Sequence, residues 1–81
     1  MDYFTIIGWL GVVFFVTAYL LLSLEILSAK KTVYHWLNFL GALCLVLNAI
    51  AIKDNPTIVV NGIWGLIAVF TVLKIYKKKM L

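Results

Sequence analysis

The fold of this chain is decided by a 22-residue segment without charged side chains, YFTIIGWLGVVFFVTAYLLLSL, residues 3–24. A helix needs about 20 consecutive, mainly apolar residues to cross the roughly 30 Å hydrocarbon core of a bilayer. Two further uncharged segments approach or exceed this length, residues 32–52 with 21 residues and residues 55–73 with 19. Each segment is long enough to span a membrane once and too short to span it twice. The sequence therefore predicts three transmembrane helices.

The composition excludes most soluble proteins. Of the 81 residues, 65% are hydrophobic and 12% are charged, whereas a soluble domain is about 45–50% apolar and about 25% charged. The single cysteine cannot form an internal disulfide, which excludes a small disulfide-stapled domain. Inside a bilayer each backbone amide needs an internal partner, so every span is expected to be helical. We predict one all-α integral membrane domain, a three-helix bundle over residues 1–81.

Short polar connections separate the predicted spans and carry signals for helix ends. Thr32 is the predicted N-cap of the second helix. Asp54 or Asn55 is the predicted N-cap of the third, with Pro56 near its first position, where the missing N–H costs no hydrogen bond. Connections this short make successive helices antiparallel neighbours, and we expect all three to pack around a shared seam. Residues 74–81 form a predicted basic tail.

The lysines predict the orientation in the membrane. With three spans, the first connection and the C-terminal tail lie on one side and carry six lysines, whereas the other side carries only Lys53. Because cytoplasmic loops are enriched in Lys and Arg, we expect the C-terminus in the cytoplasm and the N-terminus outside, in a bacterial inner membrane. The lysines are dispersed over loop ends and form no basic face, so the expected partner is the lipid bilayer and not nucleic acid.

Polar side chains in the middle of the spans are the candidate functional residues. Asn38 and Asn48 lie in the second span and Asn61 in the third. Their amides either tie helices together by hydrogen bonds or, at one position or more, face a cavity and bind a polar solute. Trp64 is deep in the third span, where it either packs between helices or stacks on a sugar ring. Both interpretations stay open at this stage.

Catalysis has no candidate residues. Asp2 and Asp54 are predicted on the outer side, while Glu25 lies at the cytoplasmic end of the first span. One histidine, His35, and one cysteine, Cys44, do not make a metal site. Neither a nucleophile–base pair nor a phosphate-binding loop is recognisable. We therefore expect no enzyme activity, no cofactor and no metal, and passive movement of a solute is favoured over coupled pumping.

Several short motifs are spread over nearly the whole length of the chain: Ile7-Gly8-Trp9-Leu10, Asn38, Gly41, Asp54-Asn55-Pro56 and Thr57-Ile58-Val59-Val60-Asn61. The most specific of them is an Asp-x-Pro turn with an Asn five residues after the Pro. With these motifs the chain resembles the SemiSWEET proteins, small bacterial sugar transporters of the PQ-loop superfamily. The chain is also similar to small three-span bacterial membrane proteins sometimes labelled permeases.

The resemblance implies Asn61 as a residue of the sugar pocket. Leu21-Leu22 stands where the superfamily has its Pro-Gln pair, and Leu45 stands where it has a pocket tryptophan. An apolar leucine cannot stack on a sugar ring as an indole does. The predicted substrate-binding residues are Asn61, Asn48, Asn38, Leu45 and Trp64.

Three function classes follow from these observations. The first is a facilitative transporter or permease for a small neutral polar solute, acting by alternating access as a parallel homodimer, because three helices around one seam leave no path for a solute. The second is a structural or accessory membrane subunit, whose asparagines and glycines bind helices. The third is a holin-like pore.

Overall fold

In a computed structural model, which describes residues 2–80, the chain folds into three helices: α1 Tyr3–Ser23, α2 Thr32–Ala51 and α3 Asn55–Met80. All three are long and apolar enough to cross a membrane. The first two match the predicted spans to within one residue, and the all-helical fold class is confirmed. α3 differs from expectation, because its helix continues through the predicted basic tail as far as Met80. Met1 and Leu81, the ends of the predicted domain and tail, lie outside the described residues.

α2 is the central helix of an open bundle. α1 and α3 each pack on α2, and within residues 2–80 no Cα atom of α1 lies within 8 Å of one in α3. The prediction of one shared seam is therefore wrong. The reason lies in adjacent small residues of α2, since Gly41 approaches Gly11 of α1 while Ala42 approaches Gly65 of α3. Small residues allow helix backbones to approach closely, so α2 has a docking surface for each neighbour.

Aspartate side chains cap the first and third helices. The Asp2 carboxylate accepts a hydrogen bond from the Thr5 amide at 2.7 Å, and this bond lowers the pKa of the Asp2 carboxyl. Asp54 accepts from both the amide of Thr57, at 3.2 Å, and its hydroxyl, at 2.6 Å. These bonds satisfy amides that the first turn of a helix leaves without intrahelical partners. Of the two predicted caps of α3, Asp54 is the correct one and Asn55 is the first helical residue.

The second helix begins without a side-chain cap. Thr32, its predicted N-cap, is already its first helical residue, and Lys31 occupies the cap position without a side-chain hydrogen bond. The preceding connection is held in another way. His35 Nε2 lies 2.7 Å from the carbonyl oxygen of Ala29, and the Ser28 hydroxyl accepts from the backbone N–H two residues further along. The histidine thus fixes the connection from within α2.

Both connections reverse the chain through a non-glycine residue in the left-handed region. Glu25 has φ 61° and Lys53 has φ 58°. In the second connection the Asp54 N–H donates to the Ala49 carbonyl at 2.9 Å, and the equivalent bond of the first connection is 3.0 Å. These are the bonds of a Schellman motif, in which glycine is usual at the left-handed position. The C-terminal ends of α1 and α2 are therefore geometrically alike.

Candidate functional site

The α1–α2 interface is built on glycines that bring the two backbones together. A Cβ atom on Gly11 would lie 2.9 Å from the carbonyl oxygen of Gly41 and 2.9 Å from Cγ of Leu45. Both distances are shorter than a normal van der Waals contact, and one of the neighbours is backbone that cannot rotate away. Gly11 is therefore required by the distance between these helices, and a Cβ on Gly41 would also be crowded, at 3.2 Å from the Gly11 carbonyl oxygen.

Asn48 ties α2 to α1. Its Nδ2 donates a 2.8 Å hydrogen bond to the main-chain carbonyl of Phe4 on α1. Gly8 makes room for this amide, because a Cβ there would lie 2.8 Å from Asn48 Cγ. Beside the tie lies a shallow groove of about 260 Å³, whose lining includes Asn48 and Leu45. Of the two interpretations of Asn48, the geometry favours the tie between helices.

The α2–α3 interface is packed through small apolar side chains instead. Ala42, Ala68 and Val72 are buried here, and a Cβ on Gly65 would stand 3.3 Å from the Cβ of Ala42. The asparagines at this interface bond to their own helices. Asn38 and Asn61 each donate to the carbonyl four residues earlier, at 3.2 Å and 3.1 Å. Within the part of the chain that the structure describes, no side-chain hydrogen bond joins α2 to α3.

The five predicted binding residues line three separate grooves of the single chain. Asn48 and Leu45 line the groove between α1 and α2. Asn38 and Trp64 line a groove of about 120 Å³ on α2 and α3, and Asn61 lines another of about 200 Å³ between the same helices. Helix geometry explains the separation, since positions 38 and 48 are about 15 Å apart along α2 at a rise of about 1.5 Å per residue.

Asn61 retains free hydrogen-bonding capacity at a groove and is half-buried, whereas Asn38, which bonds to its own helix in the same way, is buried. One amide N–H is used within α3, while Oδ1 has no partner among the described residues. Within residues 2–80 no buried side-chain oxygen or nitrogen lacks a partner, so this oxygen is accessible. The neighbouring Gly62 borders open space, because a Cβ there would meet no atom within 4 Å. Asn61 can therefore accept a hydrogen bond from a molecule that enters the groove.

The rest of the Asn61 groove is uncharged. Its walls come from Phe39, Leu43, Val46 and Leu66, together with the small residues of the α2–α3 contact. Titratable side chains are not among its lining residues. One accessible amide on an apolar wall is suited to hydrogen bonding and apolar contact with a neutral molecule.

A basic cleft that the sequence does not reveal lies at the end of the molecule where α3 terminates. Lys30 of the first connection meets Lys74 and Lys78 of α3 there, around a volume of about 570 Å³. The sequence interpretation treated these lysines as orientation signals and as dispersed contacts with anionic lipid, without grouping them in one cleft. The spacing of Lys74 and Lys78 puts them on one face of a helix, but it does not show that Lys30 lies opposite.

No curated protein and no solved structure matches the chain. A protein-family model matches residues 4–79, which covers almost all of the three helices. The chain therefore belongs to the family that this model describes.

Proposed function

We propose that the chain is a small permease of the bacterial inner membrane. It carries a small neutral polar solute, such as a sugar or polyol, down its concentration gradient. Its N-terminus faces outward and its C-terminus the cytoplasm, as the lysine asymmetry favours. The observation that carries the proposal is the accessible amide of Asn61 in the groove between α2 and α3.

The chemistry of the groove supports a neutral solute. An amide presents both an acceptor and donors, which matches hydroxyl groups. Charged solutes would require a counter-charge, because an isolated charge in an apolar environment is costly, and the lining of this groove supplies none. The resemblance to SemiSWEET proteins also supports Asn61 as a pocket residue.

A second copy of the chain completes the proposed pathway. The groove of one chain, about 200 Å³, lies open on the side of α2 and α3, so a solute there is only partly enclosed. A parallel two-fold dimer would close it with an identical surface and keep both copies in the orientation that the lysines favour. The open bundle leaves the edges of α1 and α3 available for this pairing.

Alternating access in this proposal is a movement of α3 relative to the α1–α2 pair. The Asn48 bond and the close glycine contact hold α1 to α2, whereas the described residues of α2 and α3 share no side-chain hydrogen bond. A shift at the α2–α3 contact therefore changes apolar packing and breaks no side-chain hydrogen bond between helices.

Uptake into proteoliposomes tests the permease. The purified chain is reconstituted and its uptake of radiolabelled sugars and polyols is compared between wild type, Asn61→Ala and Asn55→Ala. Asn55 is the matched control, because it is an exposed asparagine at the start of the same helix. We expect uptake of at least one solute that falls about tenfold or more in Asn61→Ala, the equivalent of one lost hydrogen bond of about 1.5 kcal/mol, and is retained in Asn55→Ala. Absence of uptake across the panel, or equal uptake by all three proteins, would contradict the permease.

A specific observation favours a second function, that of a structural or accessory membrane subunit. Asn48 uses its amide to join α1 and α2, and the glycines of this pair serve close packing. If the Asn61 amide instead receives a helix of another membrane protein, that protein will co-purify with the chain and be lost in Asn61→Ala. Stable co-purification together with absent uptake would support this function over the permease.

A further inference from the structure

A cleft lined by lysines lies where the first connection meets the last turns of α3. Four of its lining residues are Lys30, Lys74, Lys78 and Lys79, and none of its lining residues is acidic. We propose that this basic cleft binds the phosphate of an anionic lipid headgroup.

The geometry concentrates positive charge from two segments that are distant in the sequence. Lys74 and Lys78 are four residues apart and lie on one face of α3, where like charges repel each other. Lys30 approaches the same space from the first connection. Each ammonium group offers three donors and no acceptor, so a bound phosphate relieves the repulsion and takes hydrogen bonds from more than one segment.

The cleft is held in shape before any ligand binds. His35 of α2 bonds to the carbonyl of Ala29 at 2.7 Å, directly before Lys30, and the Lys30 amide donates to the Ser28 hydroxyl at 3.1 Å. These bonds fix the backbone that carries one wall of the cleft. On the other wall the lysines belong to a continuous helix, so their backbone is also fixed.

The position of the cleft favours a lipid over a phosphate in solution. Lys74 is the first charge after the 19 uncharged residues 55–73, so the cleft begins where α3 would leave the hydrocarbon. Lipid phosphates lie at this depth. Ala29, Thr71 and Ile75 complete the lining, and the Thr71 hydroxyl donates to its own helix at Ile67, which leaves an apolar side for the glycerol and the first carbons of the acyl chains.

The chain offers a control with the same loss of charge. Lys31 and Lys77 neighbour the cleft lysines in sequence but are not part of its lining, and both are exposed. The variant Lys30→Gln/Lys78→Gln removes two cleft charges, while Lys31→Gln/Lys77→Gln removes two charges beside the cleft.

The binding experiment compares three ligands. The full-length proteins are delipidated in a neutral detergent and titrated with short-chain phosphatidylglycerol, phosphatidylcholine of the same chains, or inorganic phosphate. Binding is followed by native mass spectrometry, and circular dichroism checks that the helices remain.

We expect wild type to bind phosphatidylglycerol roughly tenfold more tightly than phosphatidylcholine. Loss of two lysines from the site should weaken phosphatidylglycerol binding by roughly tenfold or more, while the control variant stays within about twofold of wild type. Equal losses in the two double variants would show diffuse attraction and overturn the site. Inorganic phosphate that binds as tightly as the lipid would overturn the lipid assignment. The permease proposal is unaffected by either result, because the cleft shares no lining residue with the Asn61 groove.

Discussion

The two interfaces of α2 differ in how they resist movement. Towards α1, glycine backbones meet at distances that leave no room for a methyl group, and a hydrogen bond from Asn48 to the Phe4 carbonyl joins the helices. Towards α3, alanine and valine side chains pack, and the asparagines bond to their own helix. The same central helix thus makes one tied contact and one contact held by packing alone.

This difference separates two uses of asparagine within one small three-helix domain. A side chain whose amide is paired with a neighbouring helix contributes to assembly. An amide such as that of Asn61, which is satisfied on one side by its own helix, keeps capacity for a ligand or a partner. We expect substitutions at the α1–α2 interface to change stability, and substitutions at the Asn61 groove to change binding.

The largest expected effect comes from adding one methyl group to the tied interface. Gly11→Ala places a Cβ 2.9 Å from the Gly41 carbonyl oxygen, so the helices must separate or shift. Overpacking of this kind costs about 1–3 kcal/mol. The free energy of unfolding is measured by titrating the detergent-solubilised protein with sodium dodecyl sulfate and following helix content by circular dichroism.

Gly62→Ala is the control for this change. It adds the same methyl group at a position that faces open space on α3, and it replaces the weaker helix former. We expect no loss of stability and a gain of up to about 1 kcal/mol. If Gly11→Ala proves as harmless as Gly62→Ala, the backbones of α1 and α2 do not approach each other as closely as described.

The next largest effect tests the hydrogen bond between α1 and α2. Asn48→Ala removes the donor to Phe4 and is expected to cost about 0.6–1.7 kcal/mol, from the average to the largest contribution of a hydrogen bond between membrane helices. Asn38→Ala is the matched control for Asn48→Ala, because it removes an asparagine of the same helix whose amide bonds only within α2. The difference between the two variants in the same unfolding titration reports the bond between helices. Equal costs would mean that the bond to Phe4 contributes nothing specific.

The helices and one of the caps could be predicted from the sequence, because uncharged runs and capping residues are local signals. The prediction of Asp54 as a cap of α3 is confirmed for this reason. The predicted cap of α2, Thr32, is instead its first helical residue, because Lys31 occupies the cap position without a side-chain hydrogen bond. The helical conformation of residues 74–80 is not apparent from the sequence, because a charge marks the end of an apolar span but does not end a helix. Lysine is itself a good helix former.

The arrangement of the helices and the grouping of the binding residues could not be predicted in the same way. Gly41 and Ala42 are adjacent, and nothing in their spacing indicates that one serves α1 and the other α3. Asn38, Asn48 and Asn61 look alike in sequence, and only the structure shows that Asn48 bonds to a neighbouring helix while the other two bond to their own. The basic cleft was missed for the same reason, because Lys30 meets Lys78 only through the fold.

The smallest expected change in the free energy of unfolding comes from substitutions in the two connections between helices. These substitutions test whether the difference between the two interfaces arises in the connections or in the packed faces of α2. Lys53 has φ 58° at the turn from α2 to α3, and Glu25 has φ 61° at the turn from α1 to α2. A non-glycine residue in the left-handed region costs about 1–2 kcal/mol of folding free energy, and substitution by glycine removes this cost. Part of the resulting stabilisation is lost, because glycine also makes the unfolded chain more flexible. Lys53→Gly and Glu25→Gly should each stabilise the fold by about 0.5 kcal/mol in the unfolding titration.

Similar gains are expected because both turns close with the same pair of Schellman bonds. The connections then contribute equally to both halves of the molecule, and the contrast between a tied and an untied interface resides in the packed faces of α2. A gain for Lys53→Gly well above that for Glu25→Gly would instead place strain in the second turn. In that case the mobility proposed for α3 would depend on its connection as well as on the missing hydrogen bond.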